Sequence, residues 1–211
     1  MQASFLTALA VALLLQAPAA ARADQKAPAG DVERLHRLLS AETLTDRREL
    51  ALKDPVYAGE RLRTGPEGRA VVQLADGATL TLGEAAVVSL DSLIYDPASG
   101  TGSGRIAVLH GAFRMGSGAL GKTGAITLET PIATIGIRGT DFWGYQEGSS
   151  LSVVLLDDGR VDIRTAGGQI TLDAPRDGIV ITDPNAQLPA EPQSWEQERI
   201  DRAFETVAFP E

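Results

Sequence analysis

The sequence predicts an all-β protein with short helices at both ends. From Val56 to Thr182, apolar residues alternate with polar or small ones in short runs that are bounded by turn residues. The chain contains 22 glycines and 11 prolines, and Asp-Gly pairs such as Asp76-Gly77 are typical of tight turns. Many short strands separated by tight turns predict a fold built from β-sheets.

The predicted strands recur in three similar units. Gly77, Gly124 and Gly168 each open a strand with apolar residues two positions apart and threonine on the opposite face, and a second strand follows each time. The glycines lie about 45 residues apart, which favours a repetitive architecture. A β-solenoid-like stack and a twisted β-sandwich both fit, because in either one the units bury their apolar faces against neighbours.

Residues 1–23 have the features of a secretory signal peptide. An apolar run from Phe5 to Leu15 precedes Ala21-Arg22-Ala23, which fits the small-residue cleavage pattern. The run is short for a membrane span, and a glutamine and a proline follow it closely. We therefore expect cleavage after Ala23, no transmembrane helix in the mature chain, and an exported protein that is periplasmic or secreted.

A flexible leader and a short helix are predicted for residues 24–49. Val32, Leu35 and Leu39 have the spacing of one helix face, and Asp31 is a suitable N-cap before them. This segment would then lead into the β domain.

The β domain is assigned to residues 50–182, and the composition changes after it. Residues 183–211 begin with a proline-rich linker and end in a predicted amphipathic helix. Ser194 and Gln197 have the spacing of a capping box for that helix. The helix either packs over the β domain or binds a partner, and the sequence leaves both possibilities open.

Composition and charge narrow the classes of function. The formal net charge is -9, whereas nucleic-acid binding requires clustered Lys and Arg, so nucleic acid is not an expected partner. The chain has no cysteine, which excludes disulfides, thiol catalysis and cysteine-ligated metals.

The sequence contains no arrangement that points to catalysis. His36 and His110 lie far apart, and neither belongs to a cluster with metal-ligand spacing. The segment Gly116–Gly121 matches the pattern G-x-G-x-x-G, but a strand is predicted after it where a dinucleotide site needs a helix. We predict that the protein is not an enzyme and has neither a metal site nor a small-molecule cofactor.

The most distinctive segment is Thr134–Trp143. It begins as a strand that ends at Gly139, and an arginine, an aspartate and two aromatic residues surround that break. Arg138 and Asp141 are predicted to pair across the glycine and to fix a corner of the chain. Either this corner is purely structural, or Arg138, Asp141, Phe142 and Trp143 form a partner-binding site with the aromatic rings as anchors.

Four segments, in order, resemble the motifs of the FecR-type domain of bacterial envelope proteins. They are Val56–Thr64, Ala75–Gly83, Val108–Phe113 and Thr130–Phe142. The resemblance implies an all-β periplasmic domain that works through protein contacts. In the best-known members, the domain lies on the outer side of an inner-membrane anti-sigma regulator and receives a signal from an outer-membrane iron-siderophore receptor.

The expected function is that of a stand-alone, exported member of this family. The sequence shows no counterpart of the sigma-binding helical region or of the transmembrane helix that such regulators carry. We therefore predict a non-enzymatic protein–protein interaction or envelope-signalling module, with an unidentified protein of the cell envelope as partner. The alternative is a glycan-binding or surface-structural protein, which an exposed aromatic platform would distinguish.

Overall fold

The computed structural model describes residues 27–210 and confirms the all-β fold. These residues form seventeen strands and two short helices. The predicted signal peptide, residues 1–23, lies outside the described residues.

The strands belong to two hydrogen-bonded sets, which we call sheet A and sheet B. In order across sheet A the strands are β4 (Pro55–Tyr57), β1 (Pro28–His36), β6 (Arg69–Leu74), β7 (Thr79–Leu82), the second part of β9 (Thr101–Gly116), β12 (Asp141–Glu147), β13 (Ser150–Leu155), β16 (Asp177–Ile181) and β17 (Gln193–Ser194). In order across sheet B they are β3 (Arg47–Glu49), β2 (Leu39–Glu42), β5 (Arg61–Thr64), β8 (Val87–Asp96), the first part of β9, β10 (Ile126–Glu129), β11 (Thr134–Arg138), β14 (Arg160–Thr165) and β15 (Gly168–Leu172).

Strand β9 joins the two sheets into one mixed structure. Its first ten residues pair with β8 and β10 in sheet B, and its last six pair with β7 and β12 in sheet A. The pairing with β10 is parallel, and every other pairing among the described strands is antiparallel. The change of sheet occurs at Gly111, whose φ is 93°. A side chain there would strike the backbone of Ala86, so only glycine fits.

One hydrophobic core fills the space between the sheets. Both sheets contribute fully buried side chains to it, such as Leu80 and Val153 from sheet A and Ile135 and Ile163 from sheet B. Alternation along each strand places every second residue in this core. Strand β11 shows the expected pattern, since Ile135 and Ile137 point inward while Arg138 is exposed.

A second, smaller apolar cluster lies on the outer face of sheet A. Helix α2 (Gln197–Glu205) packs there through Ile200 and Ala203, over Trp143, Val154 and neighbouring residues. The predicted C-terminal helix is therefore present, and it packs on the β domain. Sheet B has no such cover among the described residues, so its outer face is exposed.

The N-terminal helix predicted within residues 24–49 is wrong, because residues 28–36 form strand β1. The strand contains a bulge between Val32 and Arg34, where its register against β6 shifts by one residue. The bulge returns Leu35 to the same face as Val32, and both pack against the core. Two apolar residues three positions apart therefore share a face, as they would on a helix, although the backbone is extended.

The strands of the three repeated units are present, but the units are not structurally equivalent. The strands that follow Gly77, Gly124 and Gly168 are β7, β10 and β15. Strand β7 lies in sheet A and its successor β8 in sheet B, whereas β10 and β11 form a hairpin within sheet B. The repeat in the sequence thus reflects common strand-and-turn chemistry.

Two local predictions about helix ends also need correction. Ser194 does not cap α2, because residues 193–194 form β17 against β16 and the helix begins at Gln197. A short helix, α1 (Ala119–Thr123), begins within the glycine-rich segment Gly116–Gly121 and precedes the predicted strand, which is β10. The Leu120 N–H donates to the buried carboxylate of Asp76, so the N-terminus of α1 is already engaged within the protein.

Candidate functional site

The distinctive segment forms the connection between β11 in sheet B and β12 in sheet A. Gly139, with a φ of 60°, makes the turn between the two strands. Thr140 is buried beside it, and its hydroxyl donates to the Asp157 carbonyl at 3.0 Å. The Thr140 N–H donates to the Ser117 hydroxyl at 3.0 Å. The corner is therefore fastened to two neighbouring loops by its own polar groups.

The predicted Arg138–Asp141 pair is wrong, because Asp141 pairs with Arg114. The Arg114 guanidinium donates from Nε to Oδ1 at 2.9 Å and from Nη2 to Oδ2 at 2.6 Å. Arg114 lies on β9 opposite Trp143, which makes it the diagonal neighbour of Asp141 on the same face of sheet A. The hydrogen bond to Asp141 raises the pKa of Arg114. Arg138 precedes the turn and lies on sheet B, so it faces away from this pair.

Phe142 and Trp143 are both buried and hold elements of the fold together. Phe142 meets the edge of Phe113 in the main core, with ring centroids 5.9 Å apart. Trp143 lies beneath α2, and its Nε1–H donates to the Thr206 hydroxyl at 3.0 Å. In this structure neither ring is on the surface, where a partner could meet it directly.

Arg138 is the member of the predicted site that remains on the surface. Its side chain is exposed on the outer face of sheet B. Within residues 27–210 it makes neither a hydrogen bond nor an ion pair. The corner thus places one free guanidinium at the end of β11.

Beside Arg138 the outer face of sheet B contains a depression of about 220 Å³, which we call the Gly136 trough. It is lined by Gly124, Thr127, Thr134, Gly136, Ile137, Arg138, Asp162, Arg164 and Gln169. Gly136 forms its floor, since a Cβ atom built there would meet nothing closer than Asp162 at 3.9 Å. The missing side chain therefore leaves the space that defines the trough.

The charged groups around the trough are unequally engaged. Arg160 donates from Nε to the Asp162 carboxylate at 2.9 Å, and Thr171 donates to it at 2.8 Å. The hydrogen bond from Arg160 is the main cause that lowers the pKa of Asp162, and the charge of Arg138 contributes. Arg164 donates to the side-chain oxygen of Gln169 at 2.9 Å. The single carboxylate of the trough is thus satisfied by its own neighbours.

Sequence reasoning found Arg138 but missed the rest of the trough. Thr134, Gly136 and Arg138 could be placed on one face from their alternation in β11. The same alternation in Arg160, Asp162 and Arg164 was a usable signal, because it puts three charges on one face of β14. The charges of β14 lie beside Gly136 and Arg138 because β11 pairs with β14, and this pairing joins residues far apart in the sequence.

The described residues carry no sign of a metal centre or a membrane span. No group of three or more His, Asp or Glu side chains in residues 27–210 is arranged to hold a metal ion. No helix of this part of the chain has the length and apolar character needed to cross a bilayer.

A comparison with known protein families finds a match that includes the corner between β11 and β12. The family model described as FecR protein matches residues 60–162, from just before β5 into β14. Residues 60–162 therefore carry the FecR domain that the four sequence motifs predicted.

Two crystal structures of one bacterial protein are similar to this chain. They show a "putative anti-sigma factor" from Parabacteroides distasonis at 2.50 Å and 1.65 Å resolution. Each aligns with 16% sequence identity and a TM-score of 0.48, over 64% of this chain and 60% of the other. No curated protein sequence matches the chain.

Proposed function

We propose that this protein is an exported, non-enzymatic module of the cell envelope that takes part in signalling by binding a protein partner. The observation that carries the proposal is the FecR-type domain over residues 60–162, which supports a role in envelope signalling. Export is part of the proposal and rests on the signal-peptide pattern of residues 1–23.

The contacts made by the residues of the most specific motif support a role in binding over a role in catalysis. Asp141, Phe142 and Trp143 are engaged in an ion pair, the main core and the contact with α2. Arg138 is the charged side chain of the motif that makes no hydrogen bond within the described residues. A single exposed guanidinium recognises an anionic group, but it supplies neither a nucleophile nor a general base.

The exposed outer face of sheet B is the surface that we assign to the partner. The corresponding face of sheet A is occupied by α2. On sheet B the described arginines that point outward are Arg47, Arg61, Arg63, Arg105, Arg138, Arg160 and Arg164. Arg47, Arg63, Arg105 and Arg160 form ion pairs with carboxylates of the same face. The other three have no ion pair within residues 27–210, and their charge favours an anionic partner surface.

The positions of the tryptophans favour a protein partner over a glycan. Sugar-binding surfaces use exposed aromatic rings as stacking platforms. Trp143 and Trp195, the two largest aromatic side chains, are 6% and 3% exposed and pack against each other under α2. They are therefore not available as a platform on this surface.

The proposal is tested by crosslinking inside living cells. The tagged full-length chain is expressed in the bacterium that makes it, treated with a short crosslinker, and purified under denaturing conditions for mass spectrometry. We expect reproducible capture of one envelope receptor or regulator, absent from cells with an equally abundant tagged periplasmic control. Capture of no protein, with retention of the chain on purified cell wall or exopolysaccharide, would contradict the proposal and favour glycan binding.

A further inference from the structure

Building on the interaction function above, we propose that the Gly136 trough binds a carboxylate side chain from an acidic segment of the partner protein. Arg138 is the principal donor to that carboxylate, and Gly136 provides the space in which it lies. At the trough, a guanidinium without a hydrogen bond or ion pair in the described structure borders a depression in the exposed face of sheet B.

Arg138 differs from four outward arginines of sheet B that form ion pairs on the same face, whereas Arg61 and Arg164, like Arg138, have no carboxylate partner within residues 27–210. Arg105 pairs with Glu129 at 3.1 Å, and Arg160 pairs with Asp162 at 2.9 Å. Arg47 and Arg63 share Glu42. Arg138 has no carboxylate within ion-pair distance among the described residues, although its charge contributes to the lowered pKa of Asp162 and its fork of donors suits bidentate pairing. Its charge is therefore available to an incoming anion.

The shape of the trough suits a carboxylate side chain. A volume of about 220 Å³ is large enough for the carboxylate and methylene groups of an aspartate or glutamate side chain. Thr127 and Thr134 border the trough, and neither hydroxyl makes a hydrogen bond within residues 27–210. They lie beside Gly136, Thr127 directly opposite it across the β10–β11 pairing and Thr134 two residues before it. An incoming carboxylate would thus meet the guanidinium and hydroxyl donors together.

The charge of the trough lining favours a ligand with one negative charge over a ligand with two. Arg138 and Arg164 contribute two positive charges to the wall, and Asp162 contributes one negative charge. Asp162 is satisfied by Arg160 and Thr171, so it does not neutralise Arg138 through a contact. It still repels a second negative charge nearby, which disfavours a phosphate dianion relative to a carboxylate.

The residues around the trough favour a carboxylate from a protein over the uronic acid of a glycan. No lining residue of the trough is aromatic, so a sugar ring would find no stacking surface there. The surrounding face of sheet B carries arginine, threonine and paired carboxylate side chains, and its unpaired arginines can contact neighbouring acidic residues of an extended segment. An acidic polypeptide is therefore the occupant that fits both charge and surface.

The test is an NMR titration of the isotope-labelled protein with a blocked hexaglutamate peptide. Hexaglutamine serves as the uncharged probe, and an oligogalacturonide as the glycan probe. Arg138→Gln removes the principal charge, and Gly136→Val fills the trough with a side chain suited to a strand. Arg61→Gln is the matched control, because Arg61 is also exposed on sheet B and has no ion pair within residues 27–210.

We expect saturable shifts of the Gly136, Arg138 and Arg164 amides with hexaglutamate and none with hexaglutamine. The affinity should fall about tenfold in Arg138→Gln, be lost in Gly136→Val and be unchanged in Arg61→Gln. Equal affinity in Arg138→Gln and Arg61→Gln, or absence of saturable shifts, would overturn the proposal. Binding of the oligogalacturonide without binding of hexaglutamate would overturn it in favour of a glycan site. Dispersed spectra of each variant show that it is folded.

The same variants separate this proposal from the broader function. If Arg138→Gln captures the envelope partner in cells as well as the native chain does, the interaction function stands and the trough is not its site. If the native chain captures no partner, the interaction function fails, whatever the titration shows.

Discussion

At the residue scale, the corner after β11 contains one charged residue that stabilises the fold, Asp141, and one that is exposed on the surface, Arg138. Asp141 is 26% exposed and Arg114 39% exposed, so their bidentate pair is partly screened by water. Arg114 also lies 5.0 Å from the centre of the Phe204 ring, which links the pair to α2. Arg138 makes no such contacts, and its removal therefore costs the fold little.

Asp141 and Arg138 should respond differently to substitution. Asp141→Asn weakens the pair with Arg114, and we expect it to lower the free energy of unfolding by about 1–2 kcal/mol. Arg138→Ala should change it by less than about 0.5 kcal/mol, because Arg138 makes no hydrogen bond or ion pair within the described residues. Urea denaturation of the two variants measures both values. A larger loss in Arg138→Ala than in Asp141→Asn would show that the pairing is assigned wrongly.

The pKa of Asp162 provides a second test at this scale. Arg160 and Thr171 hold the pKa below its ordinary value of 3.8. A depressed carboxyl pKa stabilises the fold above the pKa of the unfolded chain, and this stabilisation is lost as the pH falls through the folded-state value. We expect Arg160→Gln to raise the titration midpoint of the Asp162 carboxyl carbon in NMR, whereas Arg61→Gln leaves it unchanged. A native midpoint at or above 3.8 would rule out the assigned pairing.

At the element scale, α2 determines which sheet face is available to a partner. Trp195 rests directly on Gly178, where any side chain on the glycine would strike the indole ring. Ile200 on the helix and Val207 just after it extend the contact, and Trp143 donates to Thr206 at the C-terminal end of the helix. These contacts bury apolar surface of sheet A that would otherwise be exposed to water.

A charge placed between α2 and sheet A should detach the helix from the sheet. Ile200 is 4% exposed, so Ile200→Asp forces either a buried carboxylate or loss of the helix contact. We expect a loss of at least about 2 kcal/mol of stability and increased binding of a hydrophobic dye. Glu205→Ala, at an exposed position of the same helix, is the control. An unchanged melting temperature and dye response in Ile200→Asp would mean that α2 contributes little to covering sheet A.

At the scale of the whole molecule, sequence patterns predicted the strands better than they predicted which strands pair with each other. Alternation identified the strands of the β region and the inward face of β11, because side-chain direction in a strand is a local property. The bulge in β1 could not be foreseen, since it is recognised from the pairing with β6. The partner of Asp141 and the members of the trough likewise depend on strand pairings between distant residues. The outward direction of the Arg138 side chain could be predicted, because the alternation of apolar residues in β11 fixes which face each residue occupies.

The central claim is that the exposed face of sheet B, around Arg138, is the partner-binding surface. It is tested most directly by placing a photoreactive amino acid at single positions and irradiating living cells. Thr134 and Gln169 probe the trough, and Glu198 and Glu205 probe the surface of α2. We predict that one envelope protein is crosslinked from Thr134 and Gln169 only, and that Arg138→Gln removes these adducts. Crosslinks to that protein from the α2 positions with none from the trough would contradict the account.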